Sequence, residues 1–150
     1  MKKYLFLFLM TLGCFAFTAC GDDEDDVLNP DNPGQVDVKV GKAEIKESAN
    51  QLVLTYGITV QGLTVSVKWT CDFQNDQCTR SVTEWTYPSE ILAQAAYEAA
   101  VEEKDEWDTT VYSYKGKVYI EDDTEDYRGT SKQEIKEEMQ WYVAAYNNAK

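Results

Sequence analysis

Two neighbouring stretches of alternating apolar and polar residues constrain the fold most strongly. Apolar side chains occupy every second position from Leu52 to Val60 and again from Leu63 to Phe73. Gln61 and Gly62 stand between them and are typical of a two-residue hairpin turn. The pattern predicts two antiparallel strands, because pairing through this turn places both apolar sets on one face.

The turn also predicts the register of the hairpin. If Val60 faces Leu63, every pair that follows is apolar: Ile58 with Val65, Tyr56 with Val67, Leu54 with Trp69, and Leu52 with Cys71. A slip of one residue would move all these side chains to the other face. Burying one large apolar side chain stabilises a fold by about 1.5–3 kcal/mol, so the sequence excludes the slipped registers.

Further strands flank the hairpin. Val36, Val38 and Val40 alternate with polar residues, and the phase changes after Gly41, which predicts a bulged strand. Residues 77–87 predict a fourth strand, and residues 111–120 predict a later hairpin. If the fourth strand places Cys78 opposite Cys71, its inner face carries Arg80, Val82 and Glu84.

Two helices are predicted after the four strands. Pro88 and Glu90 favour a helix start, and an alanine-rich apolar stripe follows at helical spacing. Ser131 and Glu134 fit a capping box, and an apolar stripe from Ile135 to Tyr146 follows. We therefore expect a single α+β domain over residues 36–150. An antiparallel sheet of about four strands plus the hairpin would be packed on one face by two helices.

The first 26 residues have a different composition. Lys2 and Lys3 precede an uncharged run of 16 residues, Tyr4 to Ala19, which is typical of a secretory signal. A membrane-spanning helix needs about 20 apolar residues. The acidic block that follows, residues 22–26, prevents the run from extending further, because carboxylates are costly in hydrocarbon.

The end of this run resembles two signals of known protein classes. Phe17-Thr18-Ala19-Cys20 resembles the lipobox of bacterial lipoproteins, although Phe17 stands where leucine is usual. Cys20 and the acids after it resemble the surface-export signal of Bacteroidota lipoproteins. The resemblance covers residues 1–26 alone.

This resemblance implies a cellular location and a means of membrane attachment. It implies a signal peptide over residues 1–19, a lipid on the sulfur of Cys20, and a flexible acidic tether over residues 20–35. The protein would be held by its covalent lipid at the outer membrane, exposed on the cell surface. The alternatives are an ordinary signal peptide with a chance cysteine, and an acidic block that is only a solvated spacer.

Composition excludes several functions. The chain contains no histidine, which excludes Ser-His-Asp and Cys-His catalysis and HExxH zinc sites. Losing Lys2 and Lys3 with the signal would take the net charge from −13 to −15. Such a body repels nucleic acid, so we expect no nucleic-acid partner.

Cys71 and Cys78 are the cysteines that remain in the folded body, with six residues between them. In an exported protein this pair predicts a disulfide, and free buried thiols are the alternative. The spacing fits no zinc pattern, and we expect neither a metal nor a cofactor.

Other candidate chemistry is sparse. Asp122, Thr124 and Asp126 have the first spacings of a calcium loop, but Tyr127 replaces its glycine and Gln133 its bidentate glutamate. Glu84, Glu98 and Glu134 are available as paired carboxylates for glycoside hydrolysis. We expect no catalytic residues and no enzymatic activity.

The later hairpin carries the best indication of binding. Alternation places Tyr112, Tyr114 and Tyr119 on one face, with Trp107 and Tyr127 nearby in sequence. An exposed aromatic ridge would stack on sugars or anchor a protein partner. The alternative is that a second layer, such as the final helix, covers it.

The sequence thus predicts a surface-anchored, non-enzymatic binding module for a glycan, a protein or another envelope component. A second hypothesis is a small inhibitor or accessory subunit of an envelope hydrolase. Its inserted element would be the loop from Asp72 to Gln77, with Asn75 and Asp76 at the tip. A small enzyme that uses carboxylates is the third.

Overall fold

The structure is a computed structural model and describes residues 38–148. The predicted signal peptide, the predicted lipid attachment at Cys20 and the tether lie outside the described residues. Among the helices that are described, none is long and apolar enough to cross a membrane.

Seven strands form one antiparallel sheet within residues 38–148: β1 Val38–Val40, β2 Glu44–Ser48, β3 Gln51–Val60, β4 Leu63–Gln74, β5 Gln77–Thr86, β6 Val111–Lys115 and β7 Val118–Asp122. Their order across the sheet is β1-β3-β4-β5-β7-β6, and β2 also pairs with β3. Three helices accompany the sheet: α1 Glu90–Glu103, α2 Thr124–Tyr127 and α3 Lys132–Asn148. The α+β class is confirmed, but the predicted counts of strands and helices were too low.

The predicted hairpin is confirmed in every pair. β3 and β4 pair from Val60 with Leu63 through to Leu52 with Cys71. Gln61 and Gly62 both have positive φ angles, 50° and 80°. A two-residue turn of this geometry matches the right-handed twist of the strands that it joins.

The predicted one-residue slip at Gly41 is confirmed: three residues, 41–43, separate β1 from β2, whereas two residues of β3 separate their partners Ile58 and Thr55. The N–H of Gly41 donates to the carbonyl oxygen of Gly57 at 2.7 Å, so the two backbones touch. A Cβ on Gly41 would lie 3.4 Å from that oxygen. A glycine is therefore favoured here because the backbone between β1 and β2 lies close to that of β3.

The predicted inner face of β5 was wrong because β5 has one extra residue, Thr79, where it pairs with Asp72 and Phe73 of β4. Beyond it, Ser81 pairs with Cys71 and Trp85 with Val67. Cross-strand partners share a face, so the odd-numbered residues from Ser81 to Trp85 point inward. The predicted inner residues Arg80, Val82 and Glu84 lie on the outer face of the sheet.

The predicted disulfide between Cys71 and Cys78 is not formed, and both residues are buried free thiols. The two-residue turn of Asn75 and Asp76 pairs Gln74 with Gln77 and therefore places Cys78 opposite Phe73 rather than opposite Cys71. The thiol of Cys78 donates to the carbonyl oxygen of Arg80 at 3.3 Å, and that of Cys71 lies 3.7 Å from the hydroxyl of Ser81. Burial raises the pKa of both thiols, which keeps them protonated and unreactive.

Both long helices cover the same face of the sheet, called the inner face below. On α3, Ile135, Met139 and Tyr146 pack into one core with Leu52, Leu54 and Trp69. The predicted capping box is confirmed at its start: Ser131 N–H donates to Glu134 Oε2 at 3.1 Å, and Glu134 N–H to Ser131 Oγ at 3.3 Å. At its other end, Asn147 bonds both the N–H and the carbonyl oxygen of Ala43.

Helix α1 lies over the opposite half of the sheet, against β6 and β7. Its N-cap is Ser89, whose hydroxyl accepts from the N–H of Leu92 at 3.4 Å. Ala93, Ala96 and Ala100 are its buried residues, and their small side chains allow a close approach to the sheet. The outer face of the sheet carries two ion pairs, Lys68 with Glu84 and Arg80 with Asp72, beside apolar residues such as Val82.

Candidate functional site

The three predicted binding tyrosines share one face, but that face is the inner one. Tyr114 pairs with Tyr119 across β6 and β7, and the rings of Tyr112 and Tyr119 lie 6.3 Å apart in a stacked arrangement. Helix α1 covers this face, and its Tyr97 ring lies 5.1 Å from that of Tyr114. Tyr119 retains 4% of its exposure, Tyr112 is half-buried, and Tyr114 is 36% exposed.

The exposed aromatic ridge is therefore not formed, and the covering layer is α1 rather than the final helix. The hydroxyls are also engaged. Tyr119 donates to Glu121 Oε1 at 2.9 Å, and Tyr112 donates to Asp108 Oδ2 at 2.5 Å. Tyr112 and Tyr119 therefore bind carboxylates within the protein, and Tyr114 is the most exposed of the three.

Those carboxylates form a cluster that the sequence analysis missed. We use the name acid cluster for Asp108, Glu121 and Asp123. Glu121 also accepts from the indole N–H of Trp85 at 3.0 Å, and Asp123 accepts from the hydroxyl of Thr110 at 2.9 Å. The signal was present in the alternation, because Glu121 follows Tyr119 by two residues and lies on the same face.

The acid cluster perturbs the titration of its members. Burial, followed by repulsion from Asp123, raises the pKa of Glu121 to about 7. Burial also raises the pKa of Asp123 to about 6, against the hydrogen bond from Thr110. For Asp108, the hydrogen bonds from Tyr112 and Thr110 outweigh burial and lower the pKa. Two of the three carboxyls therefore take up protons near neutral pH.

Next to the acid cluster, the loop of residues 104–110 carries the most exposed aromatic side chain in the described chain, Trp107. We call this segment the tryptophan loop. The indole of Trp107 is 83% exposed. The loop itself is braced, since Asp105 Oδ1 accepts from the N–H of Trp107 at 2.9 Å and Asp108 Oδ1 accepts from the N–H of Thr110 at 2.9 Å.

Two further contacts tie the tryptophan loop to the sheet. The ammonium of Lys104 donates to the carbonyl oxygen of Thr110 and lies 5.3 Å from the centre of the Tyr112 ring. Thr110 is fully buried and reaches Asp123 at the end of β7. The backbone that presents Trp107 is therefore fixed on both sides of the exposed side chain.

A second exposed tryptophan lies on α3. Trp141 is 61% exposed, and its ring contacts that of Tyr142 at 5.3 Å. Tyr142 in turn stacks on Tyr146, which stacks on Tyr56 at 4.4 Å between ring centres. Trp141 is thus the solvent-facing end of an aromatic row that continues into the core.

The carboxylates named for hydrolysis do not come together as a pair. Each has a separate local partner: Glu84 binds Lys68 on the outer face, Glu98 accepts from Gln94 on α1, and Glu134 caps α3. Each of the three carboxylates therefore makes a local contact that stabilises the fold.

The residues considered for calcium lie around the short helix α2. Asp122 Oδ1 accepts from the N–H of Thr124, whose hydroxyl in turn accepts from the N–H of Ser81 at 3.2 Å. Asp126 accepts from the hydroxyl of Thr109. Within residues 38–148, no group of three or more Cys, Asp or Glu side chains is placed to hold a metal ion.

The loop considered for inhibitor insertion is short and fastened down. Asn75 and Asp76 both have positive φ angles and form a tight turn. The carbonyl oxygen of Asp76 accepts from the N–H of Lys132 at 3.0 Å, and Gln77 bridges to Ser131. The tip rests on the start of α3 instead of projecting from the domain.

Comparisons of the chain with protein-family models, with curated proteins and with solved structures find no match.

Proposed function

We propose that this chain is a lipid-anchored protein of the bacterial cell surface whose α+β domain is a non-enzymatic binding module. Its ligand would be a glycan, a protein or another component of the envelope. The observation that carries the binding role is the exposure of two tryptophans, Trp107 in the tryptophan loop and Trp141 on α3. Exposed indoles are uncommon on inert surfaces and common at contact sites.

The anchoring part of the proposal rests on residues 1–26. A short apolar run ends at Cys20, and the acidic block follows at once. Two or three acyl chains hold a protein firmly, whereas one chain alone binds reversibly. A body with a net charge near −15 would not approach an anionic membrane through its own surface.

The anchor is tested by metabolic labelling with palmitate and by the mass of the mature protein. We expect label in the wild type, none in Cys20→Ala, and a mature chain that begins at Cys20 with a diacylglycerol. The matched control is Cys14→Ser, which removes the other cysteine of the apolar run and should still be labelled. An unlipidated wild-type protein would refute the anchor.

Surface exposure is tested by adding protease to intact cells. We expect the wild type to be degraded. A variant with asparagine or glutamine at all five acidic positions of residues 22–26 should be lipidated but protected. Equal degradation of both would show that the acidic block is only a spacer.

The binding role is tested by probing glycan and protein arrays with the purified mature lipoprotein. We expect a ligand whose binding weakens in Trp107→Ala or in Trp141→Ala. Because both side chains are exposed, neither substitution should unfold the domain. Ligands that bind equally well to both variants would place the site elsewhere, and no ligand at all would refute the proposal.

A further inference from the structure

The tryptophan loop combines a costly exposed side chain with a rigid backbone. Trp107 leaves most of a large apolar surface in water. Side chains on both sides nevertheless hold the loop in one conformation, through the bonds of Asp105, Asp108 and Thr110. A rigid aromatic side chain loses little conformational entropy when it binds, which is the property of an interface anchor.

The surroundings of Trp107 are acidic. Glu102, Glu103, Asp105 and Glu106 precede it, and Asp108 follows. No ion pair to Glu102, Glu103 or Glu106 is formed by any residue within 38–148. The nearby cation, Lys104, is directed to the carbonyl oxygen of Thr110 and to the Tyr112 ring. The negative charge around the indole is thus left for a partner to neutralise.

We propose that the tryptophan loop docks a basic, arginine-containing segment of a partner protein. A guanidinium group stacks on the face of the Trp107 indole, and neighbouring carboxylates such as Glu106 form its ion pairs. Tryptophan gives the strongest cation–π contact of the aromatic side chains, and arginine is the cation that most often makes one. This inference rests on the proposed binding function and names its partner class and site.

Charge argues against the other occupants of this surface. A second copy of the chain would bring a net charge of −13 or more negative against the same acidic loop. An anionic lipid surface would be repelled for the same reason. A neutral sugar would stack on the indole and could donate hydrogen bonds to the carboxylates, but it would leave their negative charge unneutralised.

The test follows the indole N–H signals of the four tryptophans by NMR in the purified mature lipoprotein. The probe is a capped peptide of alternating glycine and arginine, and the control peptide carries citrulline, which is planar but neutral, in place of arginine. We expect the arginine peptide to shift the Trp107 signal, assigned from Trp107→Phe, and to leave the Trp141 signal unchanged. The citrulline peptide should shift neither.

Matched variants measure the contribution of each group. We expect Trp107→Ala to lower the affinity for the arginine peptide by about threefold or more, and Trp141→Ala to leave that affinity unchanged. Glu106→Gln should weaken binding and reduce its dependence on salt. Thermal unfolding at the wild-type temperature would show that each variant is folded.

Three results would overturn the inference: equal shifts with the citrulline peptide, unchanged affinity in Trp107→Ala, or a shift of Trp107 by neutral oligosaccharides but not by the arginine peptide. The last result would leave the proposed binding module intact with a glycan as its ligand. An array ligand that depends on Trp141 alone would likewise refute the basic partner at this loop without refuting the module.

Discussion

Replacing Glu121 by glutamine should make the domain less sensitive to pH. The carboxyl of Glu121 is surrounded by Trp85, Tyr119 and the other members of the acid cluster, and burial raises its pKa from 4.5 to about 7. The folded state therefore holds a proton that the unfolded chain has already released. The resulting contribution to the free energy of unfolding is fully present below pH 4.5 and is lost as pH rises through 7.

The magnitude follows from the size of the shift. Each pKa unit corresponds to 1.36 kcal/mol, so the change from 4.5 to about 7 is worth about 3 kcal/mol of unfolding free energy. Asp123 contributes in the same direction, since its pKa is raised from 3.8 to about 6. The two carboxyls repel one another, so their contributions are coupled and do not simply add.

Glutamine has nearly the same shape but no charge. Glutamine loses part of the hydrogen bonding to Trp85 and Tyr119 at every pH. It also avoids the cost of burying a charge, and this advantage over wild type appears only above pH 4.5. The quantity to follow is therefore the stability of Glu121→Gln relative to wild type as pH changes. We expect it to improve by up to about 3 kcal/mol between pH 4.5 and pH 8.

The assay is urea unfolding followed by tryptophan fluorescence, at intervals between pH 4.5 and pH 8. Glu106→Gln is the control, because this exposed side chain should leave the pH dependence unchanged. A stability difference between Glu121→Gln and wild type that stays constant across the range would refute the reasoning. So would one that becomes less favourable as pH rises.

Three substitutions test the packing and the turns in the same urea assay. Met139→Ala should destabilise by about 2–5 kcal/mol because its side chain is fully buried, while the adjacent exposed Gln140→Ala should change stability by less than about 0.5 kcal/mol. Similar losses in both would contradict the assigned face of α3. Ser131→Ala should cost about 1 kcal/mol through the lost capping box, and a neutral result would mean that the cap contributes nothing in solution. Gly62→Val should cost about 1–2 kcal/mol, because a β-branched residue is strained at a φ of 80°; a stable variant would imply a different turn.

The hairpin of β3 and β4 was predictable because two independent signals agreed. The alternation defines which side chains must be buried, and the turn at Gln61 and Gly62 defines which residues must pair. The capping box at Ser131 was predictable for a similar reason, since its whole geometry lies within four consecutive residues.

The pairing of β5 was not predictable from the same reasoning. Its sequence offers apolar residues on both faces, Val82 on one and Trp85 on the other, so alternation does not choose between them. The choice is made by the irregularity between Asp72 and Phe73, which shifts the register by one residue. The error in the predicted disulfide has another cause: the turn at Asn75 and Asp76 is two residues long, so Cys78 pairs with Phe73 and not with Cys71.

The candidate site was predicted in part. Alternation correctly placed Tyr112, Tyr114 and Tyr119 together, but the face that α1 would cover depends on packing between distant segments. Trp107 was noted only as a neighbour of the tyrosines. Its exposure depends on hydrogen bonds that fix a short irregular loop, and no periodic pattern reports these.

The contacts of α3 impose an order on how the chain can mature. Ala43 is bonded to Asn147, 104 residues further along, and the apolar side of Leu52 and Leu54 is sealed by Ile135 and Met139. During synthesis, the apolar face of the hairpin formed by β3 and β4 therefore stays exposed until α3 has been made. A delay in the synthesis of α3 would prolong the exposure of this apolar surface. The nascent chain would then be prone to aggregation and would benefit from a chaperone.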